Sequence, residues 1–173
     1  MPSTPPPGDP APADGSLPMG TAAGARPFSV YLPVPYCRTR CGYCDFNTYT
    51  ATELGGSVRR DDFHEVLAAE VRFAAQELGD ARRPVDTVFV GGGTPTLLGS
   101  SGLVAVLTAI REEFGLADDA ESTTEANPDS VDERMLTELR TGGFTRISLG
   151  MQSTAPGVLR VLERTHTPGA SLE

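Results

Sequence analysis

Along the chain, short apolar runs that are typical of strands alternate with segments whose apolar residues recur at helical spacing. The apolar run Phe28–Val34 is short and rich in β-branched and aromatic residues, which indicates a strand. The segment Asp61–Leu78 then repeats apolar side chains at helical spacing, interrupted at Glu70. The same succession returns and predicts strands at Val85–Gly93, Glu121–Pro128 and Phe144–Ser153 and helices at Ser101–Gly115, Ser130–Gly143 and Ala155–Arg164.

Local signals set the expected ends of two helices. Ser130, with Glu133 three residues later, matches a capping box, so the third helix is expected to begin at Ser130. Ser101 and Gly115 are a typical start and a typical stop for the second helix.

Repeated strand-then-helix units predict an α/β fold with a parallel sheet and right-handed crossovers. Ligands of such sheets gather at the carboxyl ends of the strands, in a barrel and in an open sheet alike. The cysteine-containing loop and the segments GGGTP, EANP and GMQS each follow or end a predicted strand. We therefore expect them to form one shared site. Four units do not close an eight-fold barrel, so the chain is expected to be either an open sheet or the N-terminal portion of a larger protein.

The first residues, 1–26, differ in composition from the rest. They carry seven prolines together with Gly, Ala and Ser, and almost no large apolar side chains. Such a segment buries too little surface to offset the entropy of ordering it, which predicts a disordered tail. The core domain is then expected to occupy residues 27–173.

The charge and the hydropathy of the chain indicate which classes of partner it is not expected to bind. The formal net charge is -9, which disfavours a nucleic-acid partner and an anionic membrane surface. No apolar run approaches the roughly 18–20 residues that span a bilayer, and the N-terminus lacks the features of a signal peptide. These observations predict a cytoplasmic protein without a membrane segment.

All three cysteines lie within eight residues, as Cys37, Cys41 and Cys44 in the spacing C-x3-C-x2-C. An odd number excludes a fully paired disulfide framework, and close cysteines in a reducing compartment are more often metal ligands or redox groups. Zinc sites and cubane clusters generally take four ligands. A zinc site closed by a distant histidine (His64 or His166), an iron–sulfur cluster and a set of inert core cysteines are therefore all open at this point.

Two features favour the cluster among these alternatives. C-x3-C is an unusual spacing for zinc, and apolar neighbours would shelter an iron–sulfur centre. The aromatic residues beside the cysteines are Tyr36, Tyr43 and Phe46. A cubane held by three cysteines also leaves one iron free to bind a small molecule directly.

The segment Gly91–Pro95, GGGTP, follows a predicted strand. Glycines there allow the backbone to approach a ligand and expose N–H groups that hold a carboxylate, although a plain turn fits equally well. No GK[ST] follows, so a Walker-type phosphate loop is not expected. Glu125, Asn127 and Gln152 are further candidate ligand contacts; a solvated or capping role fits Glu125 as well.

Taken together, YLPVPYCRTRCGYCDF, GGGTPTLL, TTEANPDSV, RISLGMQS and LERTHTPG resemble segments of the radical S-adenosylmethionine (SAM) family. They are most similar to the branch that contains oxygen-independent coproporphyrinogen III oxidase and the heme chaperones. The resemblance runs from about Phe28 to the end of the chain. It implies the partial TIM-type (β/α)6 barrel of that family, of which this chain would supply about the first four βα units.

The resemblance also implies the cofactors. Cys37, Cys41 and Cys44 would bind a [4Fe-4S] cluster whose fourth iron holds SAM, and a reductant supplying one electron would drive SAM cleavage to methionine and a 5′-deoxyadenosyl radical. The positions that match SAM contacts of the family are Tyr31, Tyr43, Gly92, Gly93, Thr94, Glu125, Gln152 and Arg164. A second SAM molecule, as in the oxidase, would involve Tyr43, Thr94, Gln152 and Arg164. No side chain is assigned a catalytic role.

The residue two positions after the third cysteine differs between the oxidase and the heme chaperones. The oxidase carries a further cysteine two residues after the third, where this sequence has Phe46, as the chaperones do. This favours a heme chaperone that binds heme and delivers it to respiratory-chain apoproteins, some of them membrane-associated, without decarboxylating coproporphyrinogen. The oxidase and an inactive zinc-binding or scaffold fragment are the alternatives. The heme-associated segment of the family is expected to lie beyond these residues.

Overall fold

The computed structural model describes residues 10, 12–14, 16, 26–50, 53, 60–167 and 169–171. Within them four strands alternate with four α-helices: β1 (Ser29–Val34), α1 (Phe63–Leu78), β2 (Val85–Gly92), α2 (Gly99–Phe114), β3 (Leu116–Ala126), α3 (Glu133–Gly142), β4 (Arg146–Leu149) and α4 (Pro156–Val161). The predicted tail, residues 1–26, lies mostly outside the described residues, so its disorder stays a prediction.

The strands form one parallel sheet in the order β1-β2-β3-β4. Each strand therefore pairs with the next strand of the chain, and the order never reverses as it does in a doubly wound sheet. This sequential winding places all the crossover helices on one face and leaves the other face to become the interior of a barrel. The predicted fold class, an α/β partial barrel of about four units, is confirmed.

The hydrophobic core lies between the sheet and the helices. Strands β1 and β2 contribute alternate residues to it, because successive side chains of a strand point to opposite faces. The central helix α2 has a stripe of fully buried side chains at helical spacing: Leu103, Val106, Leu107 and Ile110. Each such side chain stabilises the fold by about 1.5–3 kcal/mol relative to an exposed one. The helix layer thus holds the sheet, and with it the strand ends, in a fixed position.

The opposite face of the sheet carries a row of paired residues from neighbouring strands. Tyr31 stands opposite Phe89, and their rings stack with centroids 5.9 Å apart. Phe89 pairs in turn with Thr123, whose Oγ1 accepts a hydrogen bond of 3.0 Å from Nε of Arg146. Two residue pairs nearer the carboxyl ends, on the same face, Glu125 stands opposite Ser148. This face leads directly to the site described below.

The helix bounds differ from the predicted ones: α1 begins at Phe63, two residues after Asp61, and α4 covers only Pro156–Val161 of the predicted Ala155–Arg164. Helix α3 begins at Glu133 with Asp132 as its N-cap, whose carboxylate accepts a 2.7 Å hydrogen bond from the N–H of Met135, so the capping box at Ser130 was wrong. The Ser130 hydroxyl instead contacts the carbonyl of Asn127 and the hydroxyl of Thr96. Helix α2 begins at Gly99, two residues before the predicted serine, and ends before Gly115 as predicted.

The strand bounds differ as well, by one residue in β1 and β2 and by more in β3 and β4. Strand β3 begins at Leu116, because an irregularity in its pairing with β2 lets the register jump between Val85 and Thr87. The exposed residues Asp118 and Asp119 lie in that irregular stretch. Strand β4 is confined to Arg146–Leu149, so Gln152 lies in the loop that follows it. No helix among the described residues combines the length and the apolar character needed to cross a bilayer.

Candidate functional site

A cavity of about 440 Å³ opens at the carboxyl end of the sheet. Its walls are the cysteine loop after β1, the glycine segment after β2, the end of β3, the end of β4 and the segment that follows α4. Volumes of this size are typical of small-molecule and cofactor sites. The expected convergence of the strand-end segments is therefore found in the structure.

The cysteine loop is fixed at its base by backbone hydrogen bonds. The N–H of Cys37 donates to the carbonyl of Tyr49 at 2.9 Å, and the N–H of Tyr49 donates to Pro35 at 2.7 Å. Tyr36, between them, is buried and packs edge-on against the ring of Phe63 in α1. The loop is thus closed at its two ends and anchored to the helix layer.

The three cysteines are free thiols, each half-buried, and all line the cavity. Among the described residues, no group of three or more His, Cys, Asp or Glu side chains is close enough to surround a single metal ion. A cubane cluster binds each thiolate through a different iron, so its ligands stand farther apart. The donor set, three thiols facing one cavity, fits an iron–sulfur cluster.

Burial raises the pKa of the Cys37 thiol, and the nearby Cys44 and Cys41 act in the same direction. Hydrogen bonds with Thr48 and Thr94 oppose this rise. A thiol in such an environment is a protonated group until a metal replaces the proton, because metal binding takes place through the thiolate.

Glycines form the wall of the cavity next to the cysteine loop. The N–H of Gly93 donates to Val34 at 2.8 Å and the N–H of Thr94 donates to Tyr36 at 2.7 Å, so the segment runs directly beside the cysteine loop. A Cβ on Gly93 would overlap the carbonyl oxygen of Tyr36 and lie 3.0 Å from Sγ of Cys37. Only glycine fits at this close approach.

A carboxylate joins the ends of β2 and β3. Oε2 of Glu125 accepts a hydrogen bond from the N–H of Gly92 at 3.1 Å, and Gly92 adopts a φ of 101°. A Cβ on Gly91 would lie 3.0 Å from the same Oε2, so the absence of a side chain there makes room for the carboxylate. The Glu125 side chain is thereby held at the cavity.

Gln152 and Arg164 complete the cavity on the β4 side. Gln152 has a φ of 64°, in the left-handed region that non-glycine residues seldom enter. The guanidinium of Arg164 donates from Nη1 to Sγ of Cys41 at 3.1 Å and from Nη2 to the carbonyl of Gly150. Its Nε is buried and, within the described part of the chain, has no hydrogen-bond partner.

All but one of the residues predicted to bind the cluster or SAM line the cavity: Cys37, Cys41, Tyr43, Cys44, Gly92, Gly93, Thr94, Glu125, Gln152 and Arg164. The exception is Tyr31, which stacks on Phe89 deeper on the sheet face. Burial raises the pKa of Tyr31, and the charge of Glu125 adds to the effect, so the phenol and the carboxylate are electrostatic neighbours.

Of the three aromatic residues expected to shelter an iron–sulfur centre, only Tyr36 is buried. Tyr36 belongs to the core, whereas Tyr43 and Phe46 are 45% and 66% exposed at the cavity mouth. Their exposure follows from their place on the open rim of the cysteine loop.

For one further residue of the site, the sequence suggests no more than a possible distant zinc ligand. His166 is 4% exposed and lines the cavity, and its Nδ1 has no hydrogen-bond partner among the described residues. It lies in a loop beside Thr167, whose N–H donates to the carboxylate of Asp129 at 2.8 Å. A histidine in a polar loop is usually exposed, so only the fold shows that this imidazole is buried.

Comparison with known proteins gives a consistent result. The family model of the radical SAM superfamily matches residues 31–173. A heme chaperone, HemW, of Mycobacterium tuberculosis is 55% identical over 144 residues, which cover 83% of this chain and 36% of that protein. The HemW heme chaperone of Escherichia coli is 38% identical over 143 residues, covering 82% of this chain and 36% of its own length.

A solved structure is also similar. Coproporphyrinogen III oxidase (HemN) from Escherichia coli, a radical SAM enzyme, superimposes with a TM-score of 0.67 at 29% sequence identity. The match covers 82% of this chain and 32% of the oxidase. The chain therefore spans about a third of the length of the proteins it resembles.

Proposed function

The chain belongs to the radical SAM superfamily, and on that premise we propose that Cys37, Cys41 and Cys44 bind a [4Fe-4S] cluster whose fourth iron takes SAM. The observation that carries the proposal is the position of the three free thiols, which line one cavity together with a glycine segment and a carboxylate. Three thiolates leave one iron of a cubane without a protein ligand, and the cavity lies where a small molecule would reach it.

The residues around the cavity have separate roles in this proposal. The backbone of Gly92, Gly93 and Thr94 binds the amino-acid end of SAM by close approach, and Glu125 adds a negative charge beside it. Tyr43, Gln152 and Arg164 hold the remaining part of the molecule or a second SAM, and Tyr31 acts from the sheet face through its proximity to Glu125. The bound cofactors supply the one-electron cleavage of SAM, with the electron taken from an external reductant.

Within the superfamily, the function best supported is that of a heme chaperone. The relatives with 55% and 38% identity are heme chaperones, and Phe46 occupies the position at which the oxidase pattern has a further cysteine. The full-length protein would bind heme and deliver it to respiratory-chain apoproteins. A cytoplasmic location stays a prediction.

Two other functions have less support. Oxidative decarboxylation of coproporphyrinogen is favoured by the similarity in fold to the oxidase. It is disfavoured by Phe46, because the oxidase pattern has a cysteine at that position. An inactive zinc-binding or scaffold fragment has less support because the radical SAM family model matches residues 31–173, which include the three cysteines.

The test compares heme binding with decarboxylation in the full-length protein. After anaerobic reconstitution, heme is titrated in and followed by its Soret absorbance, and porphyrinogen decarboxylation is assayed in parallel. Saturable heme binding at about one heme per chain without decarboxylation is expected of a chaperone. Decarboxylation at enzyme-like rates would overturn this assignment in favour of the oxidase.

A further inference from the structure

Arg164 contacts the cysteine loop, although 123 residues separate it from Cys41 in the sequence. Its Nη1 donates to Sγ of Cys41 at 3.1 Å, and its Nη2 donates to the carbonyl oxygen of Gly150 just after β4. A guanidinium is planar and presents its donors in a fixed geometry, so two simultaneous contacts define its orientation. The cation thus joins two walls of the cavity and lies directly on one of the three sulfurs.

The segment that carries Arg164 is itself attached to the cysteine loop. The carbonyl of Leu162 accepts a hydrogen bond of 3.2 Å from the N–H of Gly42, and the hydroxyls of Thr165 and Thr39 are 3.3 Å apart. Between these contacts Glu163 adopts a φ of 54°, a conformation that non-glycine residues seldom hold unless the surroundings impose it. The reversal at Glu163 is what brings Arg164 to Cys41.

We propose that Arg164 is a positioning residue for the iron–sulfur cluster, one that holds the Cys41 thiolate and stabilises the reduced state of the cluster. The inference rests on the proposed function. Hydrogen bonds to the ligand sulfurs and the net charge around a cluster set its reduction potential. The reduced cluster carries one more negative charge, so a cation on a ligand sulfur favours it. The electron comes from the external one-electron reductant named above.

This role differs from contact with SAM. It acts through Cys41, and it does not require SAM to be present. Both Nη atoms of Arg164 are engaged by protein groups. Each Nη keeps a second N–H after its one hydrogen bond, and the buried Nε has no partner in the described structure, so Arg164 also has donors left for a ligand in the cavity.

The experiment measures the midpoint potential of the reconstituted cluster, without SAM, by redox titration followed by electron paramagnetic resonance (EPR). The full-length protein is compared with Arg164→Gln, Arg164→Lys and a matched control, Arg160→Gln. Arg160 is an exposed arginine one helical turn earlier, in α4, and its replacement makes the same change in net charge. Iron and sulfide content are determined for every variant.

We expect Arg164→Gln to shift the midpoint potential to more negative values, with Arg160→Gln unchanged and Arg164→Lys between them, because a lysine keeps the charge but not both contacts. Loss of iron from both Arg164 variants, with full iron in Arg160→Gln, would equally support the positioning role. If Arg164→Gln binds a normal cluster whose midpoint potential equals that of Arg160→Gln, the inference about Arg164 is wrong and the proposed function is unaffected. A wild-type protein that takes up no cluster would overturn the proposed function as well.

Discussion

Glu125 at the end of β3 accepts a hydrogen bond from the N–H of Gly92 at the end of β2, with 3.1 Å between Oε2 and N. This contact sets the carboxylate against the glycine segment at the carboxyl edge of the sheet. Among the described residues its second oxygen, Oε1, accepts no hydrogen bond and remains for a ligand. Glu125 is therefore the side chain at which SAM binding is tested most simply.

Replacing Glu125 by Gln should weaken SAM binding about tenfold or more, because a hydrogen bond to a charged group contributes about 1.5–3 kcal/mol. The dissociation constant is measured by equilibrium dialysis on the reconstituted protein. Glu121→Gln is the matched control, since Glu121 lies four residues earlier, in the middle of the same strand, in an exposed ion pair with Arg146. Equal dissociation constants for the two variants would show that Glu125 does not contact SAM.

The close approach at Gly93 gives a second prediction. Gly93→Ala places a Cβ on the carbonyl oxygen of Tyr36 and beside Sγ of Cys37. Because the backbone must move, we expect the free energy of unfolding to fall by about 1–3 kcal/mol and cluster uptake to fall with it. Urea unfolding and iron analysis measure the two effects.

The control for that substitution is Gly157→Ala in α4, where a Cβ would meet nothing within 4 Å. Alanine is a better helix former than glycine, so this variant should be neutral or slightly more stable. A stability for Gly93→Ala that equals that of the control would mean that the approach of the two loops is looser than described.

The helix layer that positions the site can be tested separately. Leu107→Ala removes a fully buried side chain at the centre of α2 and should lower the free energy of unfolding by about 2–5 kcal/mol. Val161→Ala, at a position that is 81% exposed, should change it by no more than about 0.5 kcal/mol. Urea denaturation of both variants provides the comparison, and similar losses would contradict the location of the core.

The sequence predicts those parts of the fold that depend on local pattern. The apolar stripe of α2 and the short apolar runs of β1 and β2 are periodic, and periodicity follows from burial on one face. The start of α3 could not be assigned in the same way, since both Ser130 and Asp132 are good capping residues and only tertiary contacts decide between them. The irregular pairing of β3 likewise depends on its neighbour β2 and not on its own charged residues.

The residues of the site also differ in whether a local sequence pattern predicts them. The cysteines and the glycines of Gly91–Pro95 occupy compact motifs whose chemistry is visible in the sequence, and the structure brings them to one cavity. The contact between Arg164 and Cys41 spans 123 residues, and no local pattern predicts it. The burial of His166 is also a result of packing between distant segments.

The proposed function depends on three cysteines that hold a cluster with one iron open to SAM. It is tested by the EPR spectrum of the anaerobically reconstituted, reduced protein with and without SAM, together with iron and sulfide analysis. We expect about four irons and four sulfides per chain, as a cubane requires, and a signal that changes when SAM is added and is lost in Cys41→Ser. Zinc without iron or acid-labile sulfide, or a cluster signal that SAM leaves unchanged, would contradict it.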